Sequence, residues 1–400
     1  MDVRDFQLTR VPEGFLDDPY PWYAALREQD PVHELEGGGA FLSRYDDALA
    51  VYRDPRASSD KKIEFKPKLG DSPLYEHHTT SLVFNDPPLH TRVRRLIMGA
   101  LNQRAIARME ADVVRLVDGL LDDMEEKGEV DLIEDFAARI PVEVIGNLLD
   151  VPRGERGSLR AWSIAILSGL EPRPTAEMLE KGNQAVRGFV AFLQGLIEHR
   201  RKKPGDYDSD VLTRLIQGEK DGEKLSASEL HHNCIFLLNA GHETTTNLIG
   251  NGLWLLLNRE DQLARLRSEP GLVPLAVEEM LRYEGPIQLN NRRLTAPITL
   301  GGRNLPEGTF VTIGIGAANR DPRQFPDAER FDVARKPNRH IAFGQGDHAC
   351  AGMNVARLEA RIALGRLLAR FSRLEMTAPP RRDRRIRFRG LRNLPARAGV

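Results

Sequence analysis

The segment from Ser226 to Asn258 places the strongest limit on how this chain can fold. It contains the richest apolar stretch of the sequence, Asn233–Leu257, and it begins with Ser226-Ala-Ser-Glu229, which has the form of a helix-starting capping box. A membrane-spanning helix needs about 18 or more apolar residues in succession, and Glu243 interrupts this stretch near its middle. The sequence therefore predicts one long helix in a folded protein and offers no candidate transmembrane segment.

The remainder of the chain is predicted to be mostly helical, with a small β-rich part near its end. Helical spacing of apolar residues resumes at Leu89 and continues through Asn102–Lys127, Asp135–Leu149, Ala176–Lys203 and Glu260–Arg267. Strand-like pieces occur at Ala40–Tyr45 and, late in the chain, at Ile298–Leu300, Asn304–Pro306 and Thr309–Ile313. No internal repeat and no linker is visible. We therefore expect residues 1–400 to form a single large, mostly α domain.

Some segments are expected to lie outside the regular core. Asp54–Pro88 has prolines at positions 55, 67, 73, 87 and 88 and few periodic apolar residues, which predicts a long functional loop. The arginine-rich stretch Arg381–Arg389 is expected to be a polar edge strand or exposed surface. His231 and His232, at the start of the long helix, are expected to be surface or capping residues.

Composition narrows the class of protein. The chain has 400 residues, with 57 Lys and Arg against 58 Asp and Glu, and a nucleic acid as main partner would require a more basic surface. Two cysteines, Cys234 and Cys350, are too few for a disulfide framework or a multi-cysteine zinc or iron–sulfur site. The first residues, Met1–Leu8, are charged and lack the apolar run of a secretory signal, so a cytoplasmic protein is expected.

Cys350 lies in a glycine-rich loop, Ala342–Gly352, that leads into an amphipathic helix predicted over Met353–Phe371. A cysteine at a helix N-terminus lies among unpaired backbone N–H groups and the positive end of the helix dipole, which favour the thiolate over the thiol. Glycines at 344, 346 and 352 allow the backbone to approach a flat ligand closely. A single thiolate presented in this way is a candidate axial ligand for haem iron.

Three other kinds of site share part of this pattern. Gly344-Gln-Gly346 is similar to a weak dinucleotide-binding loop, but the opening strand and the downstream acid that a nucleotide ribose needs are missing. His348-Ala-Cys350 is half of a zinc site, but a second Cys/His pair at ligand spacing is missing. An unliganded structural cysteine is the common case for a lone thiol, and the surrounding glycine and histidine pattern argues against it.

The spacing Phe343-Gly-x-Gly-x-His-x-Cys350-x-Gly352 resembles the haem-binding signature of the cytochrome P-450 (haem-thiolate monooxygenase) family at all six fixed positions. The resemblance implies a mostly α fold with a helical lobe and a small β-rich lobe, in which haem b lies between a long central helix and the cysteine loop. It also implies that Cys350 ligates the iron, that His348 reaches a haem propionate, and that Phe343, Gly344 and Gly352 contact the cofactor.

The centre of the long helix, Ala240–Thr246, opposes helix propensity with three threonines and Gly241. Ala240 and Thr244 share a face, so the Thr244 hydroxyl can turn toward the Ala240 carbonyl and open a small groove. The stretch resembles the oxygen-activation segment of the same family, an acid followed by an alcohol. The resemblance implies that Thr244 holds a water or hydroperoxide near the iron and that Glu243 relays protons from solvent, with Ala240 and Gly241 beside the haem.

Two alternatives apply to this stretch. One is a glycine that serves helix packing, with threonines that are merely solvated. The other is a zinc protease, because His242-Glu243 fits the start of its motif, but position 246 is Thr where that motif needs a second histidine. The protease alternative therefore fails on one residue.

Two further clusters are expected to support a cofactor. Glu279 and Arg282 lie three residues apart on a predicted helix, a spacing that on a surface would give a solvated pair of little worth. With Ala317–Pro322 and Phe325–Phe331 after it, this pair resembles the buried Glu-x-x-Arg pair of the family, and Arg330 is the candidate third member. The resemblance further implies that four basic residues meet the haem propionates: His90 and Arg94, one helical turn apart, Arg292, with Arg293 as its near alternative, and His348.

The resemblance implies a monooxygenase that places one atom of O2 in a hydrophobic small molecule, by hydroxylation, epoxidation or O-dealkylation. A haem domain of this length leaves no room for an electron-donating module, so a separate ferredoxin with an NAD(P)H-dependent reductase is expected. Basic residues on the expected docking face are Arg92, Arg95, Arg357 and Arg361. A peroxide-driven oxidase of the same fold and a non-catalytic haem sensor or carrier remain alternatives, and neither would need the pair Glu243 and Thr244.

The substrate itself is not given by the sequence. By family position the pocket draws on Leu82–Phe84, Ile164–Leu170, Leu237–Ala240 and Ile287–Asn290. This mixture suits a hydrophobic compound with one or two polar groups, for which Gln288 and Asn290 are the candidate hydrogen-bonding residues.

Overall fold

The computed structural model describes residues 1–207, 210–218 and 224–399. The helices are α1 (Tyr20–Gln29), α2 (Tyr45–Arg53), α3 (Lys62–Leu69), α4 (Pro73–Thr80), α5 (Leu89–Ala100), α6 (Gln103–Lys127), α7 (Arg139–Leu148), α8 (Gly157–Ser168), α9 (Ala176–Lys202), α10 (Val211–Gln217), α11 (Ala227–Leu257), α12 (Glu260–Ser268), α13 (Val273–Tyr283), α14 (Ile315–Ala318) and α15 (Met353–Arg370). The strands are β1 (Val32–Leu35), β2 (Gly39–Leu42), β3 (Ala57–Ser58), β4 (Glu129–Asp131), β5 (Leu289–Leu294), β6 (Ile298–Leu300), β7 (Arg303–Leu305), β8 (Phe310–Gly314), β9 (Arg373–Met376), β10 (Arg381–Arg382), β11 (Leu391–Asn393) and β12 (Pro395–Gly399). The predicted mostly α fold with a small β-rich part is confirmed.

Helix α11 is the centre of the helical part. The predicted capping box forms, since the Ser226 hydroxyl accepts the Glu229 N–H at 3.2 Å and the Glu229 carboxylate accepts the Ser226 N–H at 2.7 Å. Most residues from Leu230 to Leu256 are buried, because α4, α7, α8, α9, α13 and α15 pack around the helix. Apolar residues on every side make a helix stable only inside such a surrounding. Within the described residues, no helix is long and apolar enough to cross a membrane.

The smaller, β-rich part is built on a five-stranded sheet with the strand order β1-β2-β8-β5-β3. Strands β2 and β8 run parallel, and β5 pairs antiparallel with β8 in a register that sets Arg292 opposite Val311. Leu289, Arg292 and Leu294 are the buried residues of β5, whereas Arg293 is half-buried. The sheet therefore holds the Arg292 side chain on an inner face.

The expectation of a long loop over residues 54–88 is wrong. The segment contains α3, α4 and a 3-10 turn at Leu82–Phe84. Pro73 occupies the first turn of α4, where a missing N–H costs nothing, and the Ser72 hydroxyl accepts the Tyr75 N–H at 3.2 Å. Pro73 therefore starts a helix, and Pro67 lies within α3. The number of prolines alone did not distinguish these positions from a loop.

Two other expectations need correction. The helix predicted over Asp135–Leu149 is divided into a wide π turn, Leu132–Ala137, and α7. Arg381 and Arg382 form β10 in a two-stranded sheet and Arg384 is exposed, as predicted, but the stretch is not surface throughout, because Arg389 is buried and the Arg385 side chain is 7% accessible. Finally, the expectation that residues 1–400 form one domain stays a prediction, and positions 208–209, 219–223 and 400 lie outside the described residues.

Three buried histidines meet where α4 packs on the start of α11. His77, His78 and His232 are 3%, 2% and 4% accessible, so the expectation that His232 lies at the surface is wrong. The rings of His77 and His232 are 5.6 Å apart, and Glu76 lies 3.4 Å from the His232 ring. Burial lowers the pKa of all three imidazoles, to about 3 for His78. Burial therefore favours the neutral form of these histidines in the folded protein.

We expect the protein to lose stability as the pH falls below about 6.5, the pKa of an unfolded histidine. Below that pH the unfolded chain binds protons that the folded chain excludes, so His78 alone costs about 2 kcal/mol at pH 5. Urea unfolding at pH 7 and pH 5 measures this. His78→Leu should remove that part of the pH dependence, and His199→Leu, at an exposed position, should leave it unchanged. Equal pH dependence in His78→Leu and the unaltered protein would contradict the assignment.

Candidate active site

The cysteine loop is a tight turn closed by its own backbone. The Cys350 N–H donates to the Phe343 carbonyl at 2.9 Å. Gly344 and Gly346 have φ values of +67° and +71°, in the left-handed region that favours glycine. A Cβ at position 346 would lie 2.6 Å from the Tyr52 carbonyl oxygen. The glycine pattern in the sequence thus reflects a backbone path that larger residues could not follow.

The Cys350 side chain faces accessible space although protein atoms surround it. The residue is exposed. Burial among neighbouring atoms nevertheless raises the pKa of its thiol by more than the Gly352 N–H and the charges of Arg94 and Arg357 lower it. Both properties belong to a thiol that lines a cavity. In the protein without a bound metal ion, burial thus favours the neutral thiol, whereas the Gly352 N–H and a coordinated metal ion both favour the thiolate.

The middle of α11 also has accessible surface. Ala240, Gly241 and Thr244 are partly accessible within a helix that is otherwise almost wholly buried. The Thr244 hydroxyl donates to the Ala240 carbonyl at 2.7 Å, as the spacing predicts. A Cβ on Gly241 would lie 3.1 Å from the Ile145 side chain on α7, which supports the helix-packing alternative for this glycine. Accessible interior surface on both α11 and the cysteine loop is what a flat cofactor between them would cover.

Basic residues from three parts of the chain converge near the loop. The rings of His90 and His348 are 3.9 Å apart. The pKa of His348 is lowered to about 3 by burial and then by the positive charges of His90, Arg292 and Arg94, so all four groups are close. Within the described residues, Nε2 of His90 has no hydrogen-bond partner, and Arg292 bonds to the Asn290 side chain and the Asn291 carbonyl. A buried arginine such as Arg292 needs an anion, and the unpaired His90 nitrogen needs a hydrogen-bond partner, so the two carboxylates of a haem fit this group.

Glu243 is buried and paired. Its carboxylate forms an ion pair with Arg385, a residue of the stretch that the sequence placed at the surface. Oε2 of Glu243 has no hydrogen-bond partner within the part of the chain that the structure describes. Sequence reasoning missed Arg385 because its partner lies far away along the chain.

A buried charged cluster holds α13 to the segment before the cysteine loop. Glu279 and Arg282 are bonded at 2.7 Å with both side chains 0% accessible, so they are not a solvated pair. The third member is Arg335, whose Nε lies 3.1 Å from Glu279 Oε1. The expectation for Arg330 needs correction, because its contribution to this cluster is its backbone carbonyl, which accepts from Arg282 at 3.1 Å.

Two polar residues predicted for the substrate pocket are engaged elsewhere. Gln288 is buried, and its amide donates to the Gly285 carbonyl at 2.8 Å. The Asn290 side chain donates to the Tyr52 hydroxyl at 3.3 Å and accepts from Arg292. Neither geometry supports the predicted role in substrate binding.

Two of the basic residues expected to meet a redox partner already have acidic neighbours. Arg357 bonds to both carboxylate oxygens of Glu278, at 2.7 and 2.8 Å. Arg92 forms an ion pair with Glu229. Their charges are therefore partly neutralised within the protein.

The site combines an accessible Cys350 thiol on a tight loop, accessible surface in the middle of α11 and basic residues beside the loop. This combination is the one expected of a haem-thiolate protein. Comparison with known proteins agrees, since the cytochrome P-450 family model matches residues 170–395. The chain belongs to this family and is a cytochrome P-450 monooxygenase, which implies a haem cofactor, O2, a small organic substrate and redox partners.

The chain is similar to relatives over nearly its whole length. It is 40% identical to cytochrome P-450 107B1 of Saccharopolyspora erythraea, over 97% of both chains. It is 39% identical to 6-deoxyerythronolide B hydroxylase of the same organism, over 98% of this chain and 99% of that protein. The solved structure of P-450BioI with a hexadec-9Z-enoic acid ligated acyl carrier protein superposes with a TM-score of 0.91 at 33% identity, covering 97% of this chain and 100% of that one.

Proposed function

We propose that this protein is a cytoplasmic enzyme that binds haem b and inserts one oxygen atom of O2 into a hydrophobic small molecule. Its electrons come from a separate ferredoxin and an NAD(P)H-dependent reductase. The observation that carries the proposal is the accessible Cys350 thiol in a protein interior, opposite a helix whose groove contains Thr244. Haem supplies O2 binding and activation when it is bound in this space.

Each residue of the site has a separate task in this proposal. Cys350 ligates the iron as a thiolate. The basic residues His90, Arg94, Arg292 and His348 hold the propionates, the two arginines by charge and the two histidines by hydrogen bonds, and Phe343, Gly344 and Gly352 shape the surface against the ring. These residues fix the cofactor against α11 through Ala240 and Gly241.

Thr244 and Glu243 handle protons. The Thr244 hydroxyl donates its hydrogen to the Ala240 carbonyl, so its oxygen lone pairs are free to accept a hydrogen bond from a water in the groove. Glu243 is one residue away, buried, and has one carboxylate oxygen without a partner among the described residues. We assign to it the transfer of a proton from solvent toward that water.

The substrate class is supported by the apolar pocket segments and by the relatives. Leu82 and Leu237, from two of the predicted pocket segments, are buried apolar residues. One relative is named as a hydroxylase of 6-deoxyerythronolide B, and one solved structure holds a sixteen-carbon unsaturated acyl group, hexadec-9Z-enoic acid, on its carrier protein. A hydrophobic organic molecule is therefore the proposed substrate.

Thr244→Ala is expected to uncouple NAD(P)H consumption from product, because a water in the groove loses its acceptor and oxygen is released as peroxide. We expect product per NAD(P)H to fall by about 100-fold, the low end for loss of a proton-handling group. The measurement is product and peroxide per NAD(P)H with a ferredoxin and its reductase.

Thr246→Ala is the matched control, because its hydroxyl bonds the His242 carbonyl at 3.0 Å in the same manner on another side of the helix. Coupling should survive in that variant. Unchanged coupling in Thr244→Ala would overturn the assigned role. Product formation with peroxide but not with NAD(P)H and redox partners would instead establish the peroxide-driven alternative, and no product with either would favour a haem sensor or carrier.

A further inference from the structure

A row of alternating charges leads from the surface to Glu243. It consists of Arg392, Asp383, Arg385 and Glu243, with side chains 68%, 22%, 7% and 7% accessible. Arg392 lies 3.4 Å from Asp383, Asp383 lies 2.5 Å from Nε of Arg385, and Arg385 is paired with Glu243. The acid on α11 is therefore connected to solvent through the turn between β10 and β11.

The turn is built to hold Arg385 in place. The Asp383 N–H donates to the Gly390 carbonyl at 3.1 Å, and the Arg385 guanidinium lies 5.0 Å from the Phe388 ring. Glu171, in the connection between α8 and α9, accepts the backbone N–H groups of Ile386 at 2.9 Å and Arg387 at 3.2 Å. The turn is thus fixed on two sides, and the guanidinium has little freedom to leave Glu243.

The charges that face this pair come from three elements. Burial lowers the pKa of Arg385 to about 10, with Glu171 raising it and Arg392 lowering it further. Asp383 flanks the guanidinium on the turn itself. His242 is adjacent to Glu243 on α11, and its charged neighbours are Arg160 and Glu134, a separate pair. Among the described residues, Arg385 is therefore the cation that is paired with Glu243.

A buried carboxylate without a counter-charge takes up a proton at neutral pH, because burial disfavours its charged form. An ionised Glu243 is required if the residue is to accept a proton from solvent and then release it toward the groove. The guanidinium supplies the opposite charge and cannot itself carry the proton, because arginine stays protonated. Its task is to keep the acceptor ionised and in a fixed place.

We propose that Arg385 is a positioning residue for the monooxygenase reaction, because it holds Glu243 ionised beside Thr244. Protons then reach Glu243 from water on the side where Asp383 lies. The proposal rests on the proposed relay role of Glu243. In each cycle Glu243 accepts one proton from water at the Asp383 side and gives one proton to the groove, so the residue returns to its ionised form. The alternative is that the ion pair only fastens the turn to α11.

The test compares Arg385→Gln and Arg385→Lys with Arg384→Gln. Arg384 is the neighbouring residue on the same turn, its side chain is 62% accessible, and it pairs with Asp17 at 3.3 Å. In Arg385→Gln the rate of coupled product formation should fall about 10- to 100-fold, and the acid side of its pH profile should move to higher pH. Arg385→Lys should keep the pH profile, and Arg384→Gln should match the unaltered enzyme.

A second measurement does not depend on turnover. The infrared band of protonated Glu243, isolated as the difference between each protein and the same protein with Glu243→Gln, should appear at higher pH in Arg385→Gln than in the unaltered chain. A structural role alone would lower yield or haem content and would leave both the pH profile and this band in place.

Different results would contradict the role of Glu243 and the role of Arg385. If Glu243→Gln retains full coupling, the proposed relay role of Glu243 is wrong. If Glu243→Gln uncouples the enzyme while Arg385→Gln keeps its rate, its pH profile and its infrared band, the role of Arg385 is wrong and the relay stands.

Discussion

Cys350→Ser is expected to lose the absorption band that a thiolate-ligated haem gives with carbon monoxide after reduction, and monooxygenase activity should fall to background. A serine oxygen does not donate electron density to the iron as a thiolate does, and that donation promotes cleavage of the O–O bond. The measurements are the reduced carbon monoxide difference spectrum and product formation with redox partners.

Cys234→Ala is the matched control. This thiol is 0% accessible on α11 and burial raises its pKa to about 12, so it behaves as a small apolar side chain. Its removal should leave the spectrum unchanged. A Cys350→Ser protein that keeps the thiolate band would show that the ligand lies elsewhere.

Arg335→Ala is expected to destabilise the protein by about 2–3 kcal/mol, the usual effect of losing a hydrogen bond to a buried charged group, because Glu279 keeps Arg282 as its other cation. Glu279 is 0% accessible, and Arg335 is its second cation after Arg282. The side chain also bonds the carbonyls of Pro326 at 2.7 Å and Asp327 at 3.0 Å, which are exposed, so water can replace it there. Urea unfolding followed by circular dichroism measures the change.

Arg330→Ala is the contrast, because the cluster uses the carbonyl of this residue and its side chain is exposed. We expect a change within about 0.5 kcal/mol. Equal losses in the Arg330 and Arg335 variants would mean that the third member of the cluster is misassigned. The pair of variants thus decides between the sequence-based candidate and the structural one.

Local signals in the sequence were sufficient for the elements that form from neighbouring residues. The capping box at Ser226 and the apolar run after it define α11 almost to the residue. The glycines of the cysteine loop are spaced for a backbone path that the structure shows to be sterically restricted. In both cases the determining contacts lie within a few positions of each other.

Sequence reasoning failed where the determining contact is distant. Arg385 looked like a surface arginine because its partners, Glu243 and Glu171, are far away along the chain. The sequence suggested Arg330 as the third member of the Glu279 cluster. The path of the backbone brings the Arg335 side chain to Glu279 instead. Prolines in residues 54–88 were equally compatible with helix starts and with loops.

The turn between β10 and β11 contacts both the connection between α8 and α9 and the middle of α11. Glu171 fastens it to the connection between α8 and α9, and Arg385 fastens it to Glu243 on α11. Arg387 strengthens the first attachment, since it donates to the Leu170 carbonyl at 2.7 Å. We therefore expect a ligand that displaces the α8–α9 connection to change the proton affinity of Glu243 as well. By thermodynamic reciprocity, protonation of Glu243 must alter the affinity for that ligand by the same factor.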